Sequence, residues 1–321
     1  MTTFAGRSIL ITGGTGSFGR AFARAALDGD ARRVVIFSRD EAKQAALRAT
    51  MPDPRLRFFV GDVRDQDRIM DAVRGCDTVV HAAAMKRVET CEADPTEAVA
   101  TNVTGTGNVA RACIERGVRR AILLSTDKAA EPNTLYGFTK ATAERLWTQY
   151  NVHAAGLPTR FAATRYGNVL GSTGSVLEIW RKQKENGALS VTDPRMTRFW
   201  MSMDEAVYLV TLALRELRGG EIYVPKIGAF AVVGLARAMY PGAEIRYTGI
   251  RPGEKLHETL VTEHEARRTH DAGGYFVIEP ESRTWETLPP LGHPLVPDDF
   301  RYRSDTAARP DSLFLPTMEA A

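Results

Sequence analysis

The feature that most constrains the fold is an alternation of short apolar runs with amphipathic stretches through the first half of the chain. The apolar runs are SILIT (8–12), RVVIF (33–37), RFFV (57–60), DTVVHAA (77–83) and RAILLS (120–125). Parallel strands that are buried on both faces read as continuous Val, Ile and Leu runs, and helices connect them. The pattern therefore predicts an α/β fold with a doubly wound parallel sheet, which RFAATRYGNV (160–169) extends.

Composition and charge exclude several classes of protein. In 321 residues, 42 Lys and Arg oppose 39 Asp and Glu without a basic stripe, which argues against a nucleic-acid partner. Cys76, Cys91 and Cys113 lack the spacing of a metal site and the even count of a disulfide framework, so we expect buried thiols and no metal. The N-terminus enters a strand without a long apolar run, so we expect a cytoplasmic protein with no membrane partner.

A glycine-rich segment, TGGTGSFGR (12–20), follows the first strand and opens a helix. Its glycines allow a tight turn and let the backbone approach a pyrophosphate, while the helix N-terminus offers unpaired N–H groups. Because the strand, the helix and the following βα units are all in place, we predict a Rossmann-type domain that binds a dinucleotide. The predicted cofactor contacts in this loop are Gly13, Thr15, Gly16, Ser17, Phe18 and Gly19.

The end of the second strand indicates which dinucleotide is bound. In FSRDEAK (37–43), Ser38, Arg39 and Lys43 suit a ribose 2′-phosphate and favour NADP, whereas Asp40 keeps NAD open as the less favoured cofactor. The other predicted cofactor contacts follow later strands or belong to the reactive segment described next: Asp62, Val63, Ala82, Ala83, Ala84, Lys86, Asn102, Tyr136, Lys140 and Val169.

The stretch STDKAAEPNTLYGFTK (125–140) carries the predicted reactive groups. Tyr136 and Lys140 lie four residues apart at a helix start and share one face. A nearby ammonium favours the phenolate, and beside a nicotinamide such a pair can take the proton off an alcohol. Asp127 and Lys128 follow a strand, where ligands of open α/β sheets bind, and we expect them on opposite sides of an extended strand end.

After about residue 170 the pattern loosens into mixed elements. We expect helices near 175–186, 203–216 and 232–239, and strands near SVTD, EIYVP and EIRYT. Residues 1–170 are predicted to form the NADP-binding domain, and residues 171–321 mainly a smaller C-terminal lobe that binds the substrate, with some elements returning to the main domain.

These segments, together with RYGNVLGS, TDPRMTRFW and GIRPGEKLHE, resemble the extended short-chain dehydrogenase/reductases. More narrowly, they resemble the inverting UDP-N-acetylglucosamine 4,6-dehydratases, hydro-lyases that begin pseudaminic acid synthesis. The resemblance implies a UDP-N-acetylglucosamine substrate, tightly bound NADP that is recycled within one turnover, a homo-oligomer, and a 4-keto-L-hexose product.

The resemblance also implies roles for the reactive residues. Tyr136 would be the base for C4 oxidation, Lys140 would lower its pKa, and Thr126 would hold the C4 hydroxyl. Once C4 is a ketone, the C5 hydrogen is acidic and the C6 hydroxyl can leave. Lys128 would take the C5 proton and return one from the other face, and Asp127 would protonate the departing hydroxyl. Lys128 must then be neutral, so we expect its pKa to be depressed.

Residues of the C-terminal lobe are expected to hold the UDP-sugar. Arg198 and Arg251 are candidates for the diphosphate, because a guanidinium can bond two oxygens. The predicted substrate contacts are Lys86, Lys128, Asn168, Thr173, Gly174, Ser175, Val176, Thr192, Arg198, Arg251 and Glu254. Two positions depart from the family pattern: no asparagine follows Tyr302 and Ser304, which puts tail contacts to the substrate in doubt, and Arg87 stands where a histidine is familiar.

Three other functions stay open. A retaining 4,6-dehydratase is the nearest, although that branch usually has methionine where Tyr136 stands. A UDP-sugar C4-epimerase would keep Tyr136 and Lys140 but has no use for Asp127 and Lys128. A non-catalytic NADP-binding regulator would be expected to lose the tyrosine or the lysine, and both are present.

Overall fold

A computed structural model of the protein describes residues 4–171, 176–286 and 288–307. The strands are β1 (Ser8–Thr12), β2 (Arg33–Ser38), β3 (Leu56–Val60), β4 (Thr78–His81), β5 (Arg120–Leu124), β6 (Arg160–Thr164), β7 (Asn168–Val169), β8 (Ala188–Val191), β9 (Thr197–Met201), β10 (Ile222–Pro225), β11 (Ala229–Ala231), β12 (Glu244–Tyr247), β13 (Thr259–Val261), β14 (Thr269–Asp271), β15 (Tyr275–Ile278) and β16 (Tyr302–Arg303).

The helices alternate with the strands in the first half of the chain. They are α1 (Ser17–Asp28), α2 (Glu41–Thr50), α3 (Gln66–Ala72), α4 (Val88–Ala93), α5 (Pro95–Val99), α6 (Gly105–Glu115), α7 (Leu135–His153), α8 (Val176–Gln183), α9 (Met203–Glu216), α10 (Val232–Met239) and α11 (Glu263–Ala266). A π-helical turn spans Ala100–Thr104, and 3₁₀ turns span Asp127–Ala129 and Lys184–Asn186. No helix in the described part of the chain is both long enough and apolar enough to cross a membrane.

One large sheet forms the centre of the molecule, with strand order β14-β15-β10-β6-β5-β4-β1-β2-β3. Its strands are parallel from β3 to β10, and β15 and β14 complete one edge in antiparallel pairing. The connections reverse direction between β1 and β4, and ligands of such sheets bind outside the strand ends at that point. The α/β prediction with a Rossmann-type sheet is confirmed, because every predicted run of the first half supplies a strand.

The predicted sixth strand, RFAATRYGNV, is only half correct. Arg160–Thr164 joins the large sheet as β6, but Asn168–Val169 leaves it and pairs as β7 with β9. Gly167 makes this exit possible, because a Cβ there would lie 2.5 Å from the Cβ of Phe199. The chain therefore turns out of the sheet where its backbone must pass close to β9.

A smaller lobe lies on the C-terminal side of the large sheet. It contains the sheets β11-β9-β7 and β12-β8 and has a hydrophobic cluster of its own, which includes Leu177, Trp180, Trp200 and Leu235. Other elements of the second half return to the large sheet: β10, β14 and β15 join it, and α9 packs against α1, β5 and β6. A domain boundary at residue 170 stays a prediction, since the large sheet takes strands from both sides of it.

Two buried features tie these parts together. Arg165, just after β6, is 3% exposed and forms ion pairs with Glu144 of α7 and, at 2.8 Å, with Glu265 of α11. A buried arginine between two carboxylates fixes the relative positions of the elements that carry them. Cys76, Cys91 and Cys113 are buried free thiols, as the sequence predicted.

Candidate active site

A cleft of 1410 Å³ opens at the carboxyl ends of β1, β4, β5 and β6, between the large sheet and the smaller lobe. A pocket for one small ligand is typically about 300–1,000 Å³, so this cleft has room for two ligands side by side. Residues of the glycine loop line it, and so do Asp127, Tyr136 and Arg198. The predicted cofactor side and substrate side are thus two parts of one cavity.

The glycine loop has the geometry that a close backbone approach requires. Gly13 has a φ of 66°, and a Cβ there would lie 2.9 Å from the backbone carbon of Ala82. A Cβ on Gly19 would lie 2.6 Å from the Cα of Gly14, so only glycine allows α1 to start here. Gly16 is the N-cap of α1 and offers no capping side chain. The helix N-terminus thus faces the cleft in the manner expected of a site for a pyrophosphate. Thr15, Ser17 and Phe18 line the same wall.

The charged residues after β2 have different surroundings in the structure. Asp40 caps α2 by accepting from the Lys43 backbone N–H at 2.9 Å, and its carboxylate lies 3.0 Å from Lys43 Nζ. The hydrogen bonds from Lys43 hold the pKa of Asp40 below its ordinary value. Arg39 is 56% exposed at the cleft and lies 3.6 Å from Asp62. Asp40 therefore caps the helix and pairs with Lys43, whereas Arg39 is an exposed guanidinium on the cleft wall that Ser38 also lines.

The remaining predicted cofactor contacts line the cleft with one exception. Asp62, Val63, Ala82, Ala83, Ala84, Lys86 and Val169 are all on its wall. Asn102 is not. It is 1% exposed, and its amide bonds the backbone of Met85 in both directions, at 2.8 and 3.0 Å, and Thr139 at 3.0 Å. The Asn102 side chain therefore fixes the segment after β4 to α7, and its contact with the cofactor stays a prediction.

The sequence predicted Asp127 and Lys128 on opposite sides of an extended strand end. That prediction is wrong, because the pair lies in the 3₁₀ turn after β5. In that turn both side chains curl to the same side, and Lys128 Nζ lies 3.1 Å from Asp127 Oδ1. Thr126 Oγ1 donates to the same oxygen at 2.9 Å. Asp127 is 1% exposed, so its ion pair with Lys128 is well shielded from water on the acid's side.

A second carboxylate meets Lys128 from the smaller-lobe side of the cleft. Glu258 Oε1 lies 3.2 Å from Lys128 Nζ, and the Glu258 side chain is 2% exposed. Burial favours the neutral amine, but Asp127 and Glu258 outweigh it and raise the pKa of Lys128 above its ordinary value. The prediction of a depressed Lys128 pKa is therefore wrong, because the charges of two nearby carboxylates stabilise the ammonium more than desolvation destabilises it.

Tyr136 and Lys140 are buried at the start of α7. Lys140 Nζ donates to the Leu124 carbonyl at 2.7 Å, and burial lowers the pKa of Lys140 to about 8. Burial also raises the pKa of Tyr136 to about 12, against the opposing effects of the Lys128 charge and a hydrogen bond with Thr126. The sequence predicted a lowered tyrosine pKa, so the net direction differs, because desolvation of the phenolate is the largest effect.

The predicted substrate residues within the described part of the chain line the other half of the cleft: Lys86, Lys128, Asn168, Val176, Thr192, Arg198, Arg251 and Glu254. Thr173, Gly174 and Ser175 lie outside the described residues. Arg198 in β9 donates to the carbonyls of Thr197, Lys255 and Leu256 at 2.8 to 3.1 Å, which holds its guanidinium against the segment 255–258. Arg251 is 63% exposed and pairs with Glu254 and Glu89.

Sequence reasoning missed Lys255 and Glu258, which line the cleft from the segment GIRPGEKLHE. Their spacing from Glu254 was visible, but no sequence signal joins Glu258 to Lys128, 130 residues earlier. The sequence put tail contacts to the substrate in doubt, because no asparagine follows Tyr302 and Ser304. Ser304 does not reach the cleft; its hydroxyl accepts from the Glu258 N–H at 2.9 Å and anchors that segment. Tyr302 bonds the backbone of Ile227.

The sequence is similar to a protein family and to characterised enzymes. Residues 9–280 match the family described as "Polysaccharide biosynthesis protein". The chain belongs to that family. It is 42% identical over 309 residues to the UDP-N-acetylglucosamine 4,6-dehydratase (inverting) of Campylobacter jejuni, covering 93% of this chain and 92% of the relative. It is also 42% identical over 289 residues to a UDP-glucose 4-epimerase of Rickettsia felis, covering 87% and 85%.

Solved structures of similar proteins share the fold. Pen from Bacillus thuringiensis superposes with a TM-score of 0.89 at 35% identity, over 95% of this chain and 94% of that one. DesIV, a dTDP-glucose 4,6-dehydratase from Streptomyces venezuelae with NAD and TYD bound, has a TM-score of 0.70 at 27% identity, over 78% and 86%. The predicted resemblance to the extended short-chain dehydrogenase/reductases and their inverting dehydratases is thus confirmed.

Proposed function

We propose that this protein is a C5-inverting UDP-N-acetylglucosamine 4,6-dehydratase that uses NADP. The observation that carries the proposal is the Lys128–Asp127 ion pair, 3.1 Å long, in the same cleft as the buried pair Tyr136 and Lys140. Oxidation of an alcohol needs only the second pair. An acid and a base beside it are what elimination of water adds. The similarity to the Campylobacter jejuni enzyme over 93% of the chain supports the same reaction.

The redox half of the reaction uses the tyrosine side of the cleft. A bound nicotinamide supplies the acceptor for the C4 hydrogen and later the donor that reduces C6. Tyr136 takes the proton of the C4 hydroxyl, which Thr126 orients. The pKa of Tyr136 is about 12, so the phenol must first lose its own proton, and only the resulting phenolate can accept the proton of the C4 hydroxyl. The positive charge of Lys128 lowers this pKa and so stabilises the phenolate that is present before the C4 proton is taken.

The elimination half uses the turn after β5. With C4 as a ketone, Lys128 removes the C5 proton, and Asp127 gives a proton to the C6 hydroxyl, which leaves as water. C6 is then reduced, and Lys128 returns a proton to C5 on the opposite face, so the sugar loses one water in total and its C5 configuration inverts. Lys128 takes one proton from C5 and later returns one to C5, and Asp127 gives one to the departing hydroxyl. The proton that Tyr136 took from the C4 hydroxyl passes back to the Lys128–Asp127 pair, so all three groups return to their starting charge.

The ion pair resolves the conflict between a raised lysine pKa and a lysine that acts as a base. Moving one proton from Lys128 Nζ to Asp127 Oδ1, across 3.1 Å, gives a neutral amine and a protonated carboxylic acid at once. Those are the two forms that C5 deprotonation and C6 departure require. We infer that the pair shares this proton and that substrate entry, which displaces water from the cleft, favours the neutral form.

The residues at the ends of β1 and β2 support NADP as the cofactor. The glycine loop fits a pyrophosphate, and Arg39 is an exposed guanidinium beside Ser38, where a 2′-phosphate would meet it. Asp40 is bonded to the N-terminus of α2 and to Lys43, which weakens the case for NAD. The proposal also includes a homo-oligomeric, cytoplasmic enzyme that acts early in a pathway to pseudaminic acid, an inference from family membership.

A UDP-sugar C4-epimerase is the second candidate, since the Rickettsia felis relative is equally identical over a shorter stretch. The buried Asp127–Lys128 pair argues for the dehydratase, because epimerisation at C4 does not need it. Incubation with UDP-N-acetylglucosamine and NADP in D₂O separates the two. A C6 methyl group with deuterium at C5 supports the dehydratase, whereas a C4 epimer without a methyl group contradicts it.

A further inference from the structure

Glu258 is a buried acid with no part in the steps above, and it touches the group on which those steps depend. Its Oε1 atom lies 3.2 Å from Lys128 Nζ and 3.7 Å from Arg198 Nε. Its Oε2 atom is buried without a hydrogen-bond partner and lies 4.0 Å from Lys255 Nζ. Three cations of the cleft therefore converge on one carboxylate that is 2% exposed.

The position of Glu258 is fixed by the backbone. Its N–H donates to Ser304 Oγ at 2.9 Å, and its carbonyl accepts from the Ser304 N–H at 2.9 Å. Ser304 in turn bonds Thr197 at 2.7 Å, next to Arg198 in β9. The tail strand β16 thus holds Glu258 against the turn that carries Lys128. These two bonds fix the backbone of Glu258, from which the buried carboxylate reaches the ammonium at 3.2 Å.

We propose that Glu258 is a positioning residue for Lys128: it fixes the Nζ atom between two carboxylates and sets how readily that atom gives up its proton. Asp127 lies on the same turn as the lysine, so it moves with it, whereas Glu258 comes from another part of the chain and gives the lysine a fixed reference point. The catalytic meaning of this arrangement rests on the proposed function, but the ion pair does not.

The charged groups around the two residues give the sign of the effect. Asp127, Glu258 and an ionised Tyr136 favour the ammonium form of Lys128, and Arg198 opposes it. Lys255 faces Glu258 from the same segment, and burial lowers the pKa of Lys255. Removing the Glu258 charge while leaving Asp127 therefore shifts Lys128 towards the neutral amine. The effect must be large, because both partners are mostly removed from solvent.

Competitive labelling of the full chain tests this without any substrate. A trace of acetic anhydride reacts with free amines only, and mass spectrometry reads the labelled fraction at each lysine. Below the pKa, each unit of lowering makes labelling at a fixed pH about tenfold faster. In Glu258→Gln we expect Lys128 to label at least about tenfold faster than in the wild type at pH 9, and in Glu258→Asp by an intermediate factor.

Two controls separate this effect from a damaged fold. Glu131→Gln removes a carboxylate that bonds Thr259 at 2.9 Å, and it should leave Lys128 labelling within about twofold of the wild type. Lys140 is the internal control, since its bond to the Leu124 carbonyl survives only in a folded variant. Faster labelling of both lysines in Glu258→Gln would mean general loosening, and the Glu258→Asp variant would then decide the question: unchanged Lys128 labelling in it overturns the proposal.

A second measurement links Glu258 to catalysis. The ascending limb of the rate of C5 deuterium exchange with pH should move to lower pH in Glu258→Gln, which a residue that only stabilises the fold would not cause. Unchanged labelling and an unmoved limb, in a variant that still makes the 6-deoxy product, overturn the role of Glu258 but not the dehydratase. Faster Lys128 labelling without any 6-deoxy product from the wild type would overturn the dehydratase and leave the ion pair established.

Discussion

Replacing Lys128 with glutamine removes the base of the elimination step while keeping a side chain of similar length. The amide can still donate to Asp127, but it cannot take a proton from C5. A positioned acid or base contributes roughly 10²–10⁴-fold to a rate, which is about 3–5.5 kcal/mol of activation free energy. We therefore expect the dehydration rate to fall by that factor while the protein still binds cofactor and UDP-sugar.

The same substitution carries a cost in stability that the structure allows us to estimate. Asp127 and Glu258 are 1% and 2% exposed, and they lose the ammonium that they share. Removing one partner of a fully buried pair costs about 3–5 kcal/mol, and Lys128 is 28% exposed, so we expect about 1–3 kcal/mol in the free energy of unfolding. Urea denaturation measures this loss in the free energy of unfolding. The activity assays must be run under conditions in which the variant is folded.

Lys226 is a matched control, because it lies outside the cleft and its side chain is about as exposed as that of Lys128. Lys226 is 31% exposed and pairs with Asp271 at 2.6 Å, so Lys226→Gln removes one ammonium of one ion pair in the same way. Its dehydration rate should stay within about twofold of the wild type. Product formation from UDP-N-acetylglucosamine, followed by NMR in D₂O, reads both variants. Dehydration by Lys128→Gln within about tenfold of the wild-type rate would refute the assignment of Lys128 as the base.

Three further predictions concern other parts of the protein. Tyr136→Phe should slow both C4 oxidation and dehydration by roughly 10²–10⁴-fold, seen as loss of every 4-keto product, and normal turnover would count against it. Arg39→Ala should weaken NADP binding by about tenfold or more in calorimetry and leave NAD within about threefold; equal losses would remove Arg39 from cofactor choice. Burial would raise the pKa of Glu265, but Arg165 lowers it to about 2. The ionised carboxylate therefore stabilises the folded state fully above the pKa that Glu265 has in the unfolded chain, and this contribution is lost as pH falls towards 2. Urea denaturation of Glu265→Gln should therefore show a flatter loss of stability between about pH 5 and 2 than the wild type.

Much of the nucleotide half could be predicted from sequence because its signals are local. A buried parallel strand reads as an apolar run, and a glycine loop between strand and helix has few other uses. The boundaries of α9 and α10 coincide with the predicted 203–216 and 232–239, since apolar periodicity lies within each segment, and Ser202 and Glu205 add a capping box to α9. One local prediction is wrong: Asp127 and Lys128 were expected at an extended strand end, but they lie in a 3₁₀ turn after β5.

The missed features depend on contacts between distant segments. Glu258 meets Lys128 across 130 positions, and together with the charge of Asp127 it outweighs burial and raises the lysine pKa. The amide of Asn102, a predicted cofactor contact, bonds Met85 and Thr139, which lie 17 and 37 positions away. Neither partner can be identified by spacing, since the fold and not the sequence order brings them together.

The central claim is that Asp127 and Lys128 convert C4 oxidation into dehydration with inversion at C5. The most direct test is the NMR spectrum of the product formed from UDP-N-acetylglucosamine in D₂O by the wild-type protein with NADP. We predict a new C6 methyl group, one deuterium at C5, and the coupling pattern of an L-configured 4-keto sugar. A C4 epimer that keeps its C6 hydroxyl, or a 6-deoxy product with the original D configuration at C5, would contradict the account.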